Sequence, residues 1–225
     1  MLNERRLAYS SAHGHAPNMF LKTMDSNAAP QSILKSEKVQ VSSSFSPDGK
    51  LLAYNEVDDK TGYDIWVVGL EGDRTPRPFA RTEFQEQRPA FSPDGSWLAY
   101  ESNESGTIQI YIAKYPDGSG KTQVSIEGGS EPAWAARTNE LFYRSGDKLM
   151  TADVKTTPSL AAGKPRALFD GNFKPPNNPG GRSFAALPDG QRFVFESAGS
   201  HTDPQREIRL LLNWFDELKR RVPIR

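Results

Sequence analysis

One ten-residue phrase recurs along the chain and restricts its possible folds more than any other feature. The phrase runs from Phe91 to Tyr100 around a Ser-Pro-Asp-Gly turn, and a nearly identical copy stands 46 residues earlier at 45–54. A third copy at 186–195 diverges in its first half. The segment 134–143 keeps only the flanking aromatics of the phrase, and the segment 5–9 resembles its second half alone. The anchoring aromatics follow one another at steps of 45, 46, 43 and 52 residues: Tyr9, Tyr54, Tyr100, Tyr143 and Phe195. Such a period, in a chain of short strands, is typical of a propeller or solenoid.

The phrase itself predicts a β-hairpin. In Ser-Pro-Asp-Gly, proline presets φ, aspartate bonds the backbone two residues on, and glycine accepts a positive φ. Short apolar or alternating runs flank this turn, and a second strongly β-prone pair follows it, for example 64–68 with 77–80. Four short antiparallel strands per repeat make one blade of a β-propeller. The sequence therefore predicts an all-β protein, a β-propeller of four-stranded blades with about five blades in this chain.

We expect residues 1–225 to form a single propeller domain. The repeats are predicted at about 5–36, 40–81, 87–126, 131–169 and 183–215. Helical spacing of Trp214, Phe215, Leu218 and Val222 predicts a short C-terminal helix at 213–222. The first repeat lacks an inner strand and the last lacks an outer one, whereas a closed ring joins its ends within one blade. Five blades could still close if the two ends pair loosely. We expect instead that the chain is a fragment, or a truncated relative, of a larger six-bladed ring, with open blade edges through which a homo-oligomer could form.

Composition excludes several classes of function. Lys plus Arg and Asp plus Glu both number 28, so the net charge is zero and no basic field favours nucleic acid as a partner. The absence of cysteine excludes disulfides and thiol catalysis. No apolar run approaches the roughly 18 residues of a membrane span, and the first residues lack the apolar core of a signal peptide. We expect no cofactor.

The repeats and several longer segments of the sequence resemble a known family. The Ser-Pro-Asp-Gly-x-x-Leu-Ala-Tyr phrases are similar to TolB-type, WD40-like propeller repeats (PD repeats). The segments 61–66, 72–79, 128–132 and 212–221 resemble the C-terminal propeller region of bacterial membrane-anchored, eukaryotic-like serine/threonine protein kinases. The resemblance covers about Arg5 to Pro223 and includes none of the kinase motifs. It implies a sensor or docking module located outside the cytoplasmic membrane, in an extracytoplasmic or periplasmic space.

The residues just before each inner strand are the best candidates for a binding site, because they rim the mouth of the central funnel. They are polar, mixed in sign and drawn from different repeats: Gln40, Glu86, Arg88, Ser130, Glu131 and Arg182. Polar groups that converge in a concavity suggest a binding site for a protein or a small molecule. The alternative is that these residues are solvated and paired with one another.

A hydrolase is the alternative function. Glu86 and Glu131 could serve as the paired carboxylates of a glycosidase if their separation is suitable, and an esterase is a related possibility. No Gly-x-Ser-x-Gly elbow occurs, and a Ser-His-Asp set would depend on His13, His15 or His201.

Three further motifs have structural explanations. Gly118 to Thr122 resembles the tail of a phosphate loop, but the position of its first glycine holds Tyr115 and the segment is predicted as a turn. His13 and His15 could supply two metal ligands, but only His201 remains elsewhere and a third ligand would have to come from carboxylates, so we expect a solvated loop and no metal. Asp48, Asp94 and Asp189 each belong to a turn that favours aspartate. We therefore expect a non-catalytic binding module that forms a sensor or scaffold part of a larger protein.

Overall fold

The computed structural model describes residues 6–12, 17–24, 26–157, 159–171 and 181–196 with their side chains, and the backbone of 208–211. Within these ranges every regular element is a β-strand, and the strands form five antiparallel sheets that follow one another along the chain. This arrangement confirms the prediction of an all-β propeller. The predicted helix at 213–222 lies outside the described residues. The assignment of 1–225 to a single domain stays a prediction.

We number the sheets as blades 1 to 5 in chain order. Blade 1 consists of β1 (Arg6–Ser11), β2 (Asn18–Thr23) and β3 (Gln31–Ser32). Blade 2 consists of β4 (Gln40–Phe45), β5 (Leu51–Asp58), β6 (Gly62–Gly69) and β7 (Arg77–Ala80). Blade 3 consists of β8 (Glu86–Phe91), β9 (Trp97–Ser102), β10 (Gln109–Lys114) and β11 (Thr122–Gln123). In each of these three blades, neighbouring strands in the chain are neighbours in the sheet.

Blade 4 carries an additional strand. It consists of β12 (Ser130–Trp134), β13 (Glu140–Ser145), β14 (Lys148–Lys155), β15 (Ala161–Ala162) and β16 (Arg166–Asp170), and both β15 and β16 pair with β14. Blade 5 consists of β17 (Phe184–Ala186), β18 (Phe193–Glu196) and β19 (Ile208–Leu211). The anchoring aromatics lie on the second strand of blades 2 to 5, whereas Tyr9 lies on β1. Blade 1 therefore starts with the equivalent of a second strand.

The Ser-Pro-Asp-Gly turns are held by their own aspartates, as the sequence predicted. Asp48 Oδ1 accepts hydrogen bonds from Ser46 Oγ at 2.5 Å and from the Lys50 N–H at 3.0 Å. These bonds lower the pKa of the Asp48 carboxyl below its ordinary value of 3.8. Gly49 takes φ 71° in the same turn. The repeated aspartate is explained by this turn structure.

Two opposite faces of the propeller follow from the strand order. The Ser-Pro-Asp-Gly turns connect the first and second strands and lie on one face. The segments that enter the inner strands lie on the other face, together with the connections between second and third strands such as 103–108. We call this second side the mouth face.

The core consists of apolar layers between consecutive blades. Along each second strand, the anchoring aromatic and the residue two before it face the preceding blade, and alternate residues face the following blade. Tyr100 packs with Ile65 of blade 2, and Tyr143 packs with Ile110 of blade 3. Phe193 of blade 5 meets Phe142 of blade 4 edge-on, with ring centroids 5.0 Å apart. Each blade is therefore stabilised by the blade before it.

Blade 1 leaves its own preceding face open in the described part of the chain. Leu7 occupies the repeat position of Leu52, Leu98, Leu141 and Phe193. Those four side chains are at most 1% exposed, whereas Leu7 is 47% exposed. Tyr9 stacks on Phe20 of the same face, with centroids 5.7 Å apart. We call Leu7, Tyr9 and Phe20 the open face of blade 1.

The matched pair Leu98→Ala and Leu7→Ala tests this packing. Leu98→Ala leaves a cavity between blades 2 and 3 and should lower the free energy of unfolding by about 2–5 kcal/mol. Leu7→Ala removes the same atoms from a half-exposed position and should cost about 1 kcal/mol or less. Urea denaturation monitored by tryptophan fluorescence measures both values. Equal losses in the two variants would contradict the burial pattern.

Candidate functional site

The inner strands of blades 2, 3 and 4 each contain a β-bulge close to the propeller axis. The pairing register shifts between Ser42 and Ser44, between Gln87 and Ala90, and between Ser130 and Ala133. In blades 3 and 4 the bulged residues have left-handed backbone, with φ 51° at Arg88 and 60° at Glu131. A bulge interrupts the ladder and leaves backbone polar groups without strand partners. These groups need other partners, because burying them unpaired is costly.

A side chain of the preceding blade accepts the N–H of each bulged residue. The acceptor is the residue that follows the anchoring aromatic. The three bonds run from Ser42 N–H to Ser10 Oγ at 3.2 Å, from Arg88 N–H to Asn55 Oδ1 at 3.0 Å and from Glu131 N–H to Glu101 Oε1 at 2.5 Å. We call these contacts the interblade bonds.

The junction between blades 4 and 5 uses a different acceptor. The residue after the anchoring aromatic of blade 4 is Arg144, whose side chain has no acceptor atom. The Glu131 carboxylate acts as the acceptor in place of Arg144. Glu131 Oε2 accepts hydrogen bonds from the Ser183 N–H at 2.5 Å and from the Ser183 hydroxyl at 2.8 Å. Arg144 Nη1 donates to Ser183 Oγ at 2.9 Å. At all four junctions among the five blades, a side chain of the preceding blade therefore accepts a backbone N–H of the following blade.

Two buried ion pairs lie beside the interblade bonds, and we call these bonds and ion pairs together the central layer. Arg88 Nη1 lies 2.6 Å from Glu101 Oε2, and Arg144 Nη1 lies 3.0 Å from Glu131 Oε1. The carboxylate side chains are at most 1% exposed. Burial raises the pKa of the Glu101 carboxyl, and the Arg88 guanidinium opposes that rise. Buried charges of this kind are tolerated only when each is paired and hydrogen-bonded. Each ion pair lies within one blade, and it orients the carboxylate whose other oxygen accepts a hydrogen bond from the following blade.

Arg182 lies at the centre of the same layer. It precedes blade 5, and its guanidinium donates to backbone carbonyls of three other blades. The acceptors are Ser43 O at 3.0 Å, Arg88 O at 3.1 Å, Pro89 O at 2.7 Å and Pro132 O at 3.1 Å. Burial lowers the pKa of Arg182 to about 10, an effect that the Glu101 carboxylate opposes, so the group is charged at neutral pH.

The structure places the six predicted rim residues in three different settings. Arg88, Glu131 and Arg182 belong to the central layer, and Arg88 Nε donates to Gly181 O at 2.7 Å. Gln40 and Glu86 lie nearer the mouth face and are each 2% exposed. Ser130 is partly buried and pairs with Arg144 in the blade 4 ladder. Their binding role stays a proposal.

The bonding of Glu86 and Glu131 bears directly on hydrolytic chemistry. Both oxygens of Glu131 accept hydrogen bonds, and the residue is 0% exposed. The Glu86 carboxylate accepts from the Thr82 hydroxyl and from the Thr82 N–H, and burial raises its pKa against the effect of those bonds. A glycosidase carboxylate must reach substrate or water. These two carboxylates are instead bonded within the protein.

Gln40 and Glu86 adjoin a charged cluster on the mouth face of blade 2. Gln40 Nε2 donates to Glu56 Oε2 at 2.8 Å. Lys38 Nζ lies 2.6 Å from Asp58 Oδ2, and Arg81 bridges Asp58 and Asp64 at 3.4 Å each. Lys38 and Arg81 are 42% and 47% exposed, whereas Asp58 and Asp64 are 11% and 2% exposed, so this cluster presents mainly its positive charges to solvent.

The mouth face of blade 3 carries exposed apolar side chains. Among the described residues, the exposed large apolar side chains are Leu7, Met24, Ile108 and Ile126. The last two belong to neighbouring segments, because the Gly129 N–H donates to Ile108 O at 3.0 Å and the Gln109 side chain donates to Ile126 O at 3.3 Å. Nearby, Lys121 pairs with Glu104 at 2.5 Å. We call Ile108 and Ile126 the mouth patch.

Sequence reasoning missed Asn55, Glu101, Arg144 and Ser183. A detectable signal was present: the residue after each anchoring aromatic is polar in every repeat, although in blades 2, 3 and 4 it lies in a strand that is largely buried. The histidines 13, 15 and 201 lie outside the described residues. Within the described ranges, no cluster of three or more His, Asp or Glu side chains could hold a metal ion. No helix among them has the length and apolar character needed to cross a membrane.

Comparisons with known proteins agree with this geometry. A family model described as the TolB beta propeller domain matches residues 2–175. TolB from Acinetobacter baumannii is similar in structure, with a TM-score of 0.64 and 19% identity over 84% of this chain and 45% of that one. A protein assigned as TolB from Agrobacterium tumefaciens has a TM-score of 0.61 and 20% identity over 73% and 61% of the two chains.

A puromycin-hydrolyzing peptidase of Mycobacterium tuberculosis gives a TM-score of 0.58 and 18% identity over 91% of this chain and 36% of that one. Likeness at this level of identity concerns the fold alone. The chain spans 45% and 61% of the two TolB structures. No curated protein matches the sequence.

A double-mutant cycle on Glu131 and Arg144 tests the central layer. Glu131→Ala leaves the Arg144 charge buried and the Ser183 N–H unpaired, so it should lower the free energy of unfolding by about 3–5 kcal/mol. Glu131→Ala/Arg144→Ala should lose at least about 1 kcal/mol less than the sum of the single losses. The exposed pair Glu140 and Arg166, 3.3 Å apart, is the control and should show coupling below about 1 kcal/mol. Additive losses at Glu131 and Arg144 would exclude a coupled layer.

Proposed function

The chain belongs to the TolB β-propeller domain family, and we propose that it is a non-catalytic module that binds a protein at the mouth face. The observation that supports this proposal is the exposure of Ile108 and Ile126 on neighbouring segments of that face. Apolar side chains rimmed by polar groups are the usual centre of a protein interface. Small-molecule binding at the same mouth is the related possibility.

Polar surroundings on the mouth face favour a specific partner over general adhesion. The Lys121–Glu104 pair lies beside the mouth patch, and Glu127 is exposed next to Ile126. The cluster around Lys38, Asp58 and Arg81 adds mainly positive exposed charge on blade 2. Rim charges of this kind tune the rate and the selectivity of association more than its strength.

The hydrolase alternative has no comparable support. Glu86 and Glu131 are buried and hydrogen-bonded, as described above, and each would have to lose those bonds to reach a substrate. The hydrolases among the similar structures share the fold with this chain, and a fold does not carry an activity. We therefore assign no catalytic residue.

A sensor or scaffold role within a larger protein is the finer proposal. It rests on the resemblance of 61–66, 72–79, 128–132 and 212–221 to the propeller region of bacterial eukaryotic-like protein kinases. A propeller in that position would lie in the periplasm or another extracytoplasmic space. Binding of a partner to the mouth face would then be the signal that the propeller transmits to the rest of the larger protein.

Self-association through the open face of blade 1 is a second proposal. Leu7, at 47% exposure, occupies a position that is buried at four other blades. A sheet from a second copy could cover it as one blade covers the next. Light scattering at rising protein concentration should show oligomers that Leu7→Lys removes. A monomer at every concentration would refute this proposal and leave the mouth-face proposal intact.

Site-specific photo-crosslinking tests the mouth face. A photoreactive side chain at position 126 should form a discrete adduct with a partner protein in the cells that make this protein. Ile108→Asp should abolish the adduct while it changes the free energy of unfolding by less than about 0.5 kcal/mol, since the side chain is exposed. Met24→Asp, at an equally exposed apolar position on blade 1, is the matched control and should retain the adduct.

The same probe at position 117, in a turn on the opposite face, sets the background. Equal adducts from positions 117 and 126, or an adduct that survives Ile108→Asp, would contradict binding at the mouth patch.

A further inference from the structure

We propose that the carbonyl groups around the propeller axis form a binding site for a guanidinium group. In the described structure the chain's own Arg182 fills this site, and the external ligand it would accept is an arginine side chain of a docked protein. The role of that ligand as a docking partner rests on the proposed function, whereas the site itself can be tested without any partner. We call the acceptors the carbonyl cradle: Ser43 O, Arg88 O, Pro89 O and Pro132 O.

Repeat symmetry builds the cradle. Ser43, Pro89 and Pro132 occupy the same position in blades 2, 3 and 4, immediately after the residue whose N–H forms the interblade bond. Each therefore directs a carbonyl toward the axis from a different side. Three equivalent acceptors from three blades converge on one cation at 2.7–3.1 Å, together with Arg88 O. A contact that recurs in this way follows from the architecture of the blades.

The chemistry of the cradle favours guanidinium over other cations. Its acceptors are backbone carbonyls released from the strand ladder by the bulges, so they require donors. Guanidinium offers five N–H donors in a fixed fork, whereas an ammonium offers three on a compact charge. Arg182 uses all three of its nitrogen atoms here. The nearby Glu101 and Glu131 carboxylates attract a positive charge in the cradle, and the Arg88 guanidinium opposes that attraction.

An external ligand would enter the cradle from the mouth side. Arg182 lies at the entrance of an inner strand, on the mouth side of blade 5, and it must leave the cradle before another guanidinium enters. No side-chain carboxylate is bonded to it in the described contacts, so only neutral carbonyls must change partner when another guanidinium enters. Exchange of one guanidinium for another preserves every hydrogen bond of the cradle.

Chemical rescue of Arg182→Gly tests this inference. The substitution empties the cradle and should lower Tm. Guanidinium chloride at about 10 mM should then raise Tm by at least about 3 °C through binding to the folded state. At this concentration its denaturing effect is negligible, because that effect is proportional to molarity. Arg192→Gly removes an arginine of blade 5 that pairs with Asp189 on the surface, and its Tm should not rise.

Selectivity gives the second measurement. Methylammonium chloride should raise the Tm of Arg182→Gly by less than half of the guanidinium shift. Argininamide, titrated by NMR, should bind Arg182→Gly at least tenfold more tightly than the wild-type protein, in which Arg182 competes. If Arg182→Gly cannot be purified folded, the yield of soluble protein on dilution from urea, with and without guanidinium, replaces Tm as the readout.

Three results would overturn the proposal. They are no rescue of Arg182→Gly in either readout, an equal response of Arg192→Gly, and methylammonium as effective as guanidinium. None of them bears on the mouth patch, whose partner is tested by crosslinking at position 126. Conversely, loss of that crosslink leaves the rescue experiment unaffected, so the two proposals fail separately.

Discussion

The structure depends on one interaction, the acceptance of a bulge N–H by a side chain of the preceding blade. Flat sheets that stack through apolar layers can slide or rotate, because the hydrophobic effect has no direction. The interblade bonds fix each inner strand to its neighbour at one residue. Ser10, Asn55, Glu101 and Glu131 perform the same task with three kinds of acceptor group, namely a hydroxyl, an amide and two carboxylates. The blades are thus held in a defined register near the axis.

Because the polar side chains near the axis hold the fold together, they are not free to bind a ligand. Charges that converge on a propeller axis suggest a ligand site, yet Arg88, Glu101, Glu131 and Arg144 are bonded to one another and to the backbone. Their removal would leave unpaired buried groups, so their identity is explained by stability. The proposed protein-binding surface is instead the mouth patch, where the Ile108 and Ile126 side chains are exposed.

The fold could be predicted from the sequence, whereas the arrangement at its centre could not. Turn chemistry at Asp48 and Asp94 is local, so the repeated phrase predicted hairpins, blades and an all-β propeller. The position of Arg182 in the chain indicated the axis, but its partners are backbone carbonyls, which leave no signature in a sequence. The left-handed backbone conformation of Arg88 and Glu131 could not be predicted either, because it too leaves no signature in the sequence. The exposure of Leu7 is likewise a property of packing, since its repeat equivalents differ from it only in having a neighbouring blade.

Residue-resolved amide hydrogen exchange tests the interblade bonds most directly. The amides of Ser42, Arg88 and Glu131 lie at the bulges and that of Ser183 directly precedes β17, and such amides would exchange rapidly if they had no acceptor. If side-chain acceptors of the preceding blade hold them, these four amides should exchange only through large-scale unfolding, at the rate of core amides such as that of Ile112. Exchange of the four amides as fast as that of the Gly106 turn amide would contradict the account.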